Sequence, residues 1–314
     1  MDATLSDPWW LCGSTIVMGV LGLLVGSFLN VVIHRKPIIM MREWLLDFGG
    51  MLGDGEVWQT VFGKPQPADL VEAGRTIDAH LEALTPLGLA TPRSRCGACG
   101  HAIRWYENIP LVSWLALRAK CSACGVPISV RYPLVELATG ALFALAAWKF
   151  GPHPATLAWC GALALLVSMA MIDLDTKYLP DDLTYPLLWG GLIVAALGWT
   201  IPLPAAVWGA VAGYVPLWLI ATGFALLTKR QGMGGGDLKL LAALGAWSGW
   251  EAILPILLMA SIVGLCVNVP RRFMSGHAAD HQYPFGPFLA GGGLIVMFVG
   301  ADPLLAWAGI SFTR

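Results

Sequence analysis

Charged side chains are scarce in this chain. Asp, Glu, Lys and Arg make up 12% of its 314 residues and hydrophobic residues 57%, against about 25% charged and roughly 45–50% apolar in ordinary soluble domains. The shortage excludes a solvated globular protein and leaves an all-α polytopic membrane protein. Internal repeats and low-complexity tracts are absent as well. A basic n-region is also lacking, since Asp2 and Asp7 precede the first apolar run; no cleavable signal peptide is expected, and that run should stay as an anchor in membrane lipid. The net charge of -1 says little about partners, and no nucleic acid is expected among them.

What the chain does have is apolar length. Runs at 11–33, 134–150, 154–172, 184–200, 204–227, 238–250, 252–269 and 287–310 predict about eight transmembrane helices. The run 238–250 is short: 13 residues rise roughly 20 Å against a hydrocarbon core of about 30 Å, so a short or re-entrant helix is the alternative there. Trp9, Trp10, Trp148, Trp189, Trp199, Trp247 and Trp250 stand near run ends, where indole anchors at headgroup level.

Basic residues give the orientation. Eight crossings put Arg35, Lys36, Lys177, Lys229, Arg230, Lys239, Arg271 and Arg272 on one face, and only Lys149 and Arg314 opposite; the first face should be cytoplasmic. Eleven of the 19 Lys and Arg fall between Arg35 and Arg131, the one long stretch without a spanning pattern. The expected organisation is therefore a first helix over 1–35, a cytoplasmic insert over 36–132 and a helical membrane domain over 133–314. The insert reads as loop-like and Gly/Pro-rich at first. Within it Leu70, Ile77, Leu81 and Leu84 are spaced for one face of a surface helix over 68–84.

The seven cysteines divide cleanly. Cys12, Cys160 and Cys266 stand alone in apolar runs and read as small buried hydrophobes. Cys96-Gly-Ala-Cys99 and Cys121-Ser-Ala-Cys124 are two C-x-x-C knuckles separated by 21 residues, the spacing of a closed four-thiolate zinc site with a structural role. Two disulfides are the alternative, which a cytoplasmic location disfavours.

Ionisable groups at membrane depth are costly and usually functional. Asp173 ends the apolar stretch 162–172, and Asp237 ends Gly232-Met-Gly-Gly-Gly-Asp237. Metal-free amide hydrolysis needs one carboxylate to take a proton from water and a second, protonated, to polarise the carbonyl. Two neighbouring carboxyls hold such a shared proton because like charges a few Å apart cannot both ionise. The glycines before Asp237 allow positive φ and close backbone approach. An ordinary inter-span loop, or Asp237 as a simple helix cap, explains them too. A nucleotide loop does not, because no P-loop Lys-Ser/Thr follows. Asp175, Asp181 and Asp182 rival Asp173, and a solvated face is their ordinary explanation; alternatively they attract a basic peptide. Interfacial capping or snorkelling accounts for His34 and Glu136.

Several stretches resemble the type IV prepilin leader peptidase/N-methyltransferase family nearly end to end. They are Gly26-Ser-Phe-Leu-Asn-Val-Val-Ile-His-Arg35, both knuckles, Glu107-Asn-Ile-Pro-Leu-Val-Ser113, Arg131-Tyr-Pro-Leu-Val-Glu136, Ile172-Asp-Leu-Asp-Thr-Lys-Tyr-Leu-Pro-Asp181, residues 232–240 and Pro284-Phe-Gly-Pro287. The resemblance implies a GxGD-type aspartyl protease of the bacterial inner membrane with Asp173 and Asp237 as the catalytic pair and Gly234 and Gly236 as motif glycines. It implies type IV prepilins and type II secretion pseudopilins as substrates, cleaved at the cytoplasmic face, and S-adenosylmethionine as methyl donor. No functional residue is carried over between Ile38 and Arg95. No strand followed by a glycine-rich turn is visible, so donor-binding residues are unknown. The competing classes are a proton- or cation-coupled transporter, which would place facing carboxylates mid-span, and an assembly factor docking through the knuckles, which leaves Asp173 and the glycines unused.

Overall fold

The computed structural model describes residues 9–230, 232–275, 283–307 and 309. Asp2, Asp7, Arg314, the side chains of Arg271 and Arg272, and residues 308 and 310 of the last apolar run lie outside that description. Among the described residues every regular element is helical, and the two isolated β-bridges, Arg95 with Ala102 and Lys120 with Pro127, both belong to the cysteine knuckles.

The helices run α1 (Trp10–Gly13), α2 (Thr15–Gly53), α3 (Gly55–Phe62), α4 (Ala68–Glu82), α5 (Val112–Ala116), α6 (Arg131–Phe150), α7 (Pro154–Thr176), α8 (Asp181–Ala196), α9 (Leu203–Thr228), α10 (Gly235–Ser248), α11 (Ile253–Ser275), α12 (Gly286–Val299) and α13 (Ala301–Trp307). Their ends follow local chemistry. Ser14 caps α2 by accepting the Val17 N–H, and the His153 ring caps α7 by accepting from Ala155. At the other end of α7, Lys177 turns left-handed at φ 57° and gives its N–H to the Asp173 carbonyl at 2.8 Å.

Among the described residues five helices are long and apolar enough to cross a membrane, at Thr15–Gly53, Arg131–Phe150, Pro154–Thr176, Leu203–Thr228 and Trp250–Pro270. A sixth forms if α12 and α13, bent by 104° about their break, count as one. The chain is thus an integral membrane protein. The two remaining apolar runs become the short helices α8 and α10, of 16 and 14 residues.

The helix α10 sits innermost. Leu240, Leu241, Ala243 and Ala246 on it are fully buried, packed among α8, α9 and α12. It meets α9 at Gly209 and Gly245, where backbone touches backbone and neither position has room for a Cβ. By contrast, α9 turns Trp208, Ile220, Leu226 and Leu227 outward, as expected of a lipid-facing helix.

Two features differ from the sequence expectation. The first helix does not stop at the edge of the bilayer: α2 continues through Pro37 to Gly53, and α3 follows, so the early insert is helical where a loop was expected. The expected surface helix is present as α4, packed on the α2 extension. Trp247 is the second. It is buried, 4.6 Å from Trp159, and donates its indole N–H to the Leu187 carbonyl at 2.8 Å. It is a core residue and not a headgroup anchor, whereas Trp148 and Trp189 are exposed.

Candidate active site

Where α7 ends and α10 begins, the bundle opens into a cavity of about 270 Å³ lined by Asp173, Asp237, Gly234, Gly235, Gly236, Lys177, Tyr178, Leu179, Asp181 and Lys239. Asp173 and Asp237, far apart in the chain, thus line one space.

Asp173 occupies the last turn of α7 and is 4% exposed. Its Oδ2 accepts the Gly286 N–H at 3.0 Å, from the first residue of α12. A helix N-terminus favours an anion beside it. A side chain at residue 286 would displace the Asp173 carboxyl or the start of α12, because a Cβ there would stand 2.7 Å from Asp173 Oδ2. Asp237 is the third residue of α10, half-buried in its first turn. The residue at the cap position is Gly234, so Asp237 is not a helix cap.

The motif glycines act differently from expectation. None of Gly234, Gly235 and Gly236 has positive φ. Gly234 takes ordinary extended backbone at φ -70°, ψ 137°, and the helix starts on Gly235. What the sequence requires at Gly236 is space: a Cβ there would lie 2.9 Å from that of Leu179, so glycine lets α10 approach the connection between α7 and α8.

Each rival aspartate has a cation. Asp175 takes both arms of Arg131 at 2.7 and 2.6 Å, Asp181 takes Lys239 at 2.7 and 2.8 Å, and Asp182 takes Lys36. They stitch α7 to α6, α8 to α10 and α8 to α2. Among the described residues, the cavity is lined by three aspartates, of which Asp181 is engaged by Lys239, leaving Asp173 and Asp237 as the candidate pair. Glu136 is buried instead of snorkelling, and accepts the Leu111 N–H at 2.9 Å; His34 is exposed. Sequence reasoning gave Gly286, Lys36, Arg131 and Lys239 no role at this site. A usable signal for the first was a glycine directly before Pro287, since proline at a helix start marks where N–H groups are free to bind an anion.

The knuckles form a second centre. The Sγ atoms of Cys96, Cys99, Cys121 and Cys124 all lie within 4.8 Å of one another, with Cys96 and Cys124 at 3.9 Å. A tetrahedron of thiolates about 2.3 Å from an ion has edges of about 3.8 Å, so the cluster fits a metal. Both knuckles share one backbone form: Gly100 and Gly125 adopt φ 72° and return their N–H groups to the carbonyls of Cys96 and Cys121. The N–H groups of Cys99 and Ala98 pull the Cys96 thiol down to about 6. Cys124, although the Val126 N–H favours its thiolate, is pushed up to about 11 by the crowding thiols around it. Of the lone cysteines, Cys12 and Cys160 are buried and Cys266 is exposed.

Residues 20–150 match the bacterial Peptidase A24 N-terminal domain, and residues 160–269 the type IV leader peptidase family. A prepilin leader peptidase/N-methyltransferase of Burkholderia pseudomallei is 46% identical over 290 residues, covering 92% of this chain and 87% of the relative. Its namesake in Stutzerimonas stutzeri is 46% identical over 286 residues, covering 90% and 89%. That of Neisseria gonorrhoeae is 45% identical over 277, covering 88% and 87%. No solved structure matches significantly. Similarity of this degree reaches across both the knuckle insert and the helices that carry the two aspartates, and the chain belongs to the type IV leader peptidase family.

Proposed function

We propose that this protein is an aspartyl endopeptidase of the bacterial inner membrane that removes the leader peptides of type IV prepilins and type II secretion pseudopilins, and then methylates the new amino terminus. Asp173 and Asp237 are its catalytic pair, with Gly234 and Gly236 in support. The observation that carries this reading is their shared cavity at one end of the bundle, on the side that gathers Lys36, Arg131, Lys177 and Lys239. That end is the cytoplasmic one by the distribution of basic residues. In this reading α8 and α10 cross as well, giving eight spans, and the chain divides as 1–35, 36–132 and 133–314.

The chemistry follows from two carboxyl groups sharing one proton. A water between them loses its proton to the ionised member and attacks the scissile carbonyl. The protonated member donates to the carbonyl oxygen. On collapse, a proton returns to the leaving nitrogen and the C–N bond breaks. Oδ2 of Asp173 already faces the Gly286 N–H, so that side chain is held in one orientation before substrate arrives. A transporter reading is weaker, because both carboxyls lie at one end of the bundle.

Methylation rests on the relatives' names. The described insert has no strand–turn–helix unit of the kind that holds nucleotide-like donors, and no residue is assigned to S-adenosylmethionine. Zinc fits Cys96, Cys99, Cys121 and Cys124 by donor type and spacing, as a structural ion that ties residues 95–102 to 120–127.

The test is to incubate the purified protein with a prepilin in detergent. Leader loss by mass spectrometry, and one added methyl group when S-adenosylmethionine is supplied, are expected. An intact prepilin would refute the peptidase. Elemental analysis should find one zinc per chain, lost in Cys96→Ser together with ordering of the insert, read as new proteolytic cuts between 93 and 128. Absence of metal from freshly purified wild type would refute the zinc assignment.

A further inference from the structure

We propose that the Lys239–Asp181 ion pair is a positioning device that sets the distance between the two catalytic aspartates. The proposal rests on the Asp173/Asp237 assignment and adds residues that the assignment does not use.

Each catalytic aspartate sits near a helix end, at the place where α10 meets the connection between α7 and α8. Asp237 lies in the first turn of α10, and Lys239 follows it two residues later. Asp173 lies in the last turn of α7; from there the short connection 177–180 leads into Asp181, the first residue of α8. Lys239 Nζ reaches both Asp181 oxygens, at 2.7 and 2.8 Å. One ion pair therefore joins the segment carrying Asp237 to the segment carrying Asp173. The ring of Tyr185, one turn along α8 from Asp181, lies 5.2 Å from Nζ and holds the ammonium on that side.

A solvated surface pair is the ordinary explanation, and exposed pairs contribute little to fold stability. Two observations speak against it. Both side chains are partly sheltered and line the same cavity as the aspartates. In addition, a lysine near the start of a helix opposes the helix dipole, so Lys239 stands where local stability alone disfavours it. The other two cross-element pairs, Arg131 with Asp175 and Lys36 with Asp182, do not line the cavity.

Near the cavity the remaining charges and titratable groups are Lys177 and Tyr178 on the connection. Both lie between α7 and α8 and neither is on α10, so they do not replace the pair. Removing either partner should loosen the α10 start against α8 and misplace the carboxyls without touching substrate.

The experiment compares Lys239→Gln, Asp181→Asn, their double variant and Lys239→Arg in detergent, with a prepilin as substrate, by kcat, KM and melting temperature, and with Asp237→Asn alongside. Each single neutral variant should lose about 10- to 100-fold in kcat, the scale of a misplacement of about 1 Å, with KM within about twofold. The double should lose no more than the worse single, since the two act as one unit, and Lys239→Arg should recover most of the rate. Wild-type kcat in Lys239→Gln beside an inactive Asp237→Asn would overturn this proposal and leave the dyad standing. A raised KM at unchanged kcat would make Lys239 a substrate contact, and a matching fall in melting temperature would make it structural; either overturns the proposal. An active Asp237→Asn would instead remove the dyad itself.

Discussion

Asp173→Asn and Asp237→Asn should each lose prepilin cleavage by about 10²- to 10⁴-fold, the scale of removing a general acid or base, while the protein stays folded. Asparagine keeps the shape of the side chain and removes its capacity to carry the shared proton. Asp173→Asn still offers an oxygen to the Gly286 N–H, so the α7–α12 contact survives and only the chemistry goes. The double variant should be no worse than either single, because one carboxyl without the other has no partner to pass a proton to. Asp175→Asn is the contrast. That carboxylate is taken by Arg131, and its loss should cost stability between α6 and α7 more than rate. Cleavage assays with a melting curve for each variant separate these outcomes.

Gly286→Ala is the second large effect. A methyl group there would stand 2.7 Å from Asp173 Oδ2 and 3.2 Å from Leu179 Cδ1. The carboxyl must swing away or the start of α12 must retreat. Either change breaks the 3.0 Å hydrogen bond that orients Asp173, and kcat should fall on the order of 100-fold. Gly291→Ala on the same helix meets nothing within 4 Å, and alanine favours helix over glycine; its rate should match wild type and its melting temperature should hold or rise. Equal behaviour of the two variants would deny Gly286 its role in holding Asp173.

Much of this was legible in the chain because it is local. Apolar runs report helices whatever they pack on, and two C-x-x-C knuckles report a four-sulfur cluster because each pair is made within a single turn. Asp173 and Asp237 stood out by their depth at run ends. Non-local contacts did not announce themselves. Nothing near Asp173 in sequence indicates Gly286, since the bond between them depends on how α12 docks. The same holds for Asp175, Asp181 and Asp182, which read alike as a solvated acidic turn and separate only when Arg131, Lys239 and Lys36 arrive from three other helices. Burial of Trp247 was hidden for a related reason: a tryptophan at a run end looks like a headgroup anchor unless the helix lies inside the bundle, as α10 does. The extension of α2 past Pro37 was missed because the charge pattern marks where the apolar face ends, and the helix continues without it.

The most direct measurement is an experimental structure with a bound prepilin segment in which a secondary alcohol replaces the scissile amide, mimicking the tetrahedral intermediate. The hydroxyl should lie within about 2.6–3.2 Å of a carboxyl oxygen of both Asp173 and Asp237. A hydroxyl bound by only one of them, or seated outside their cavity, would contradict the account.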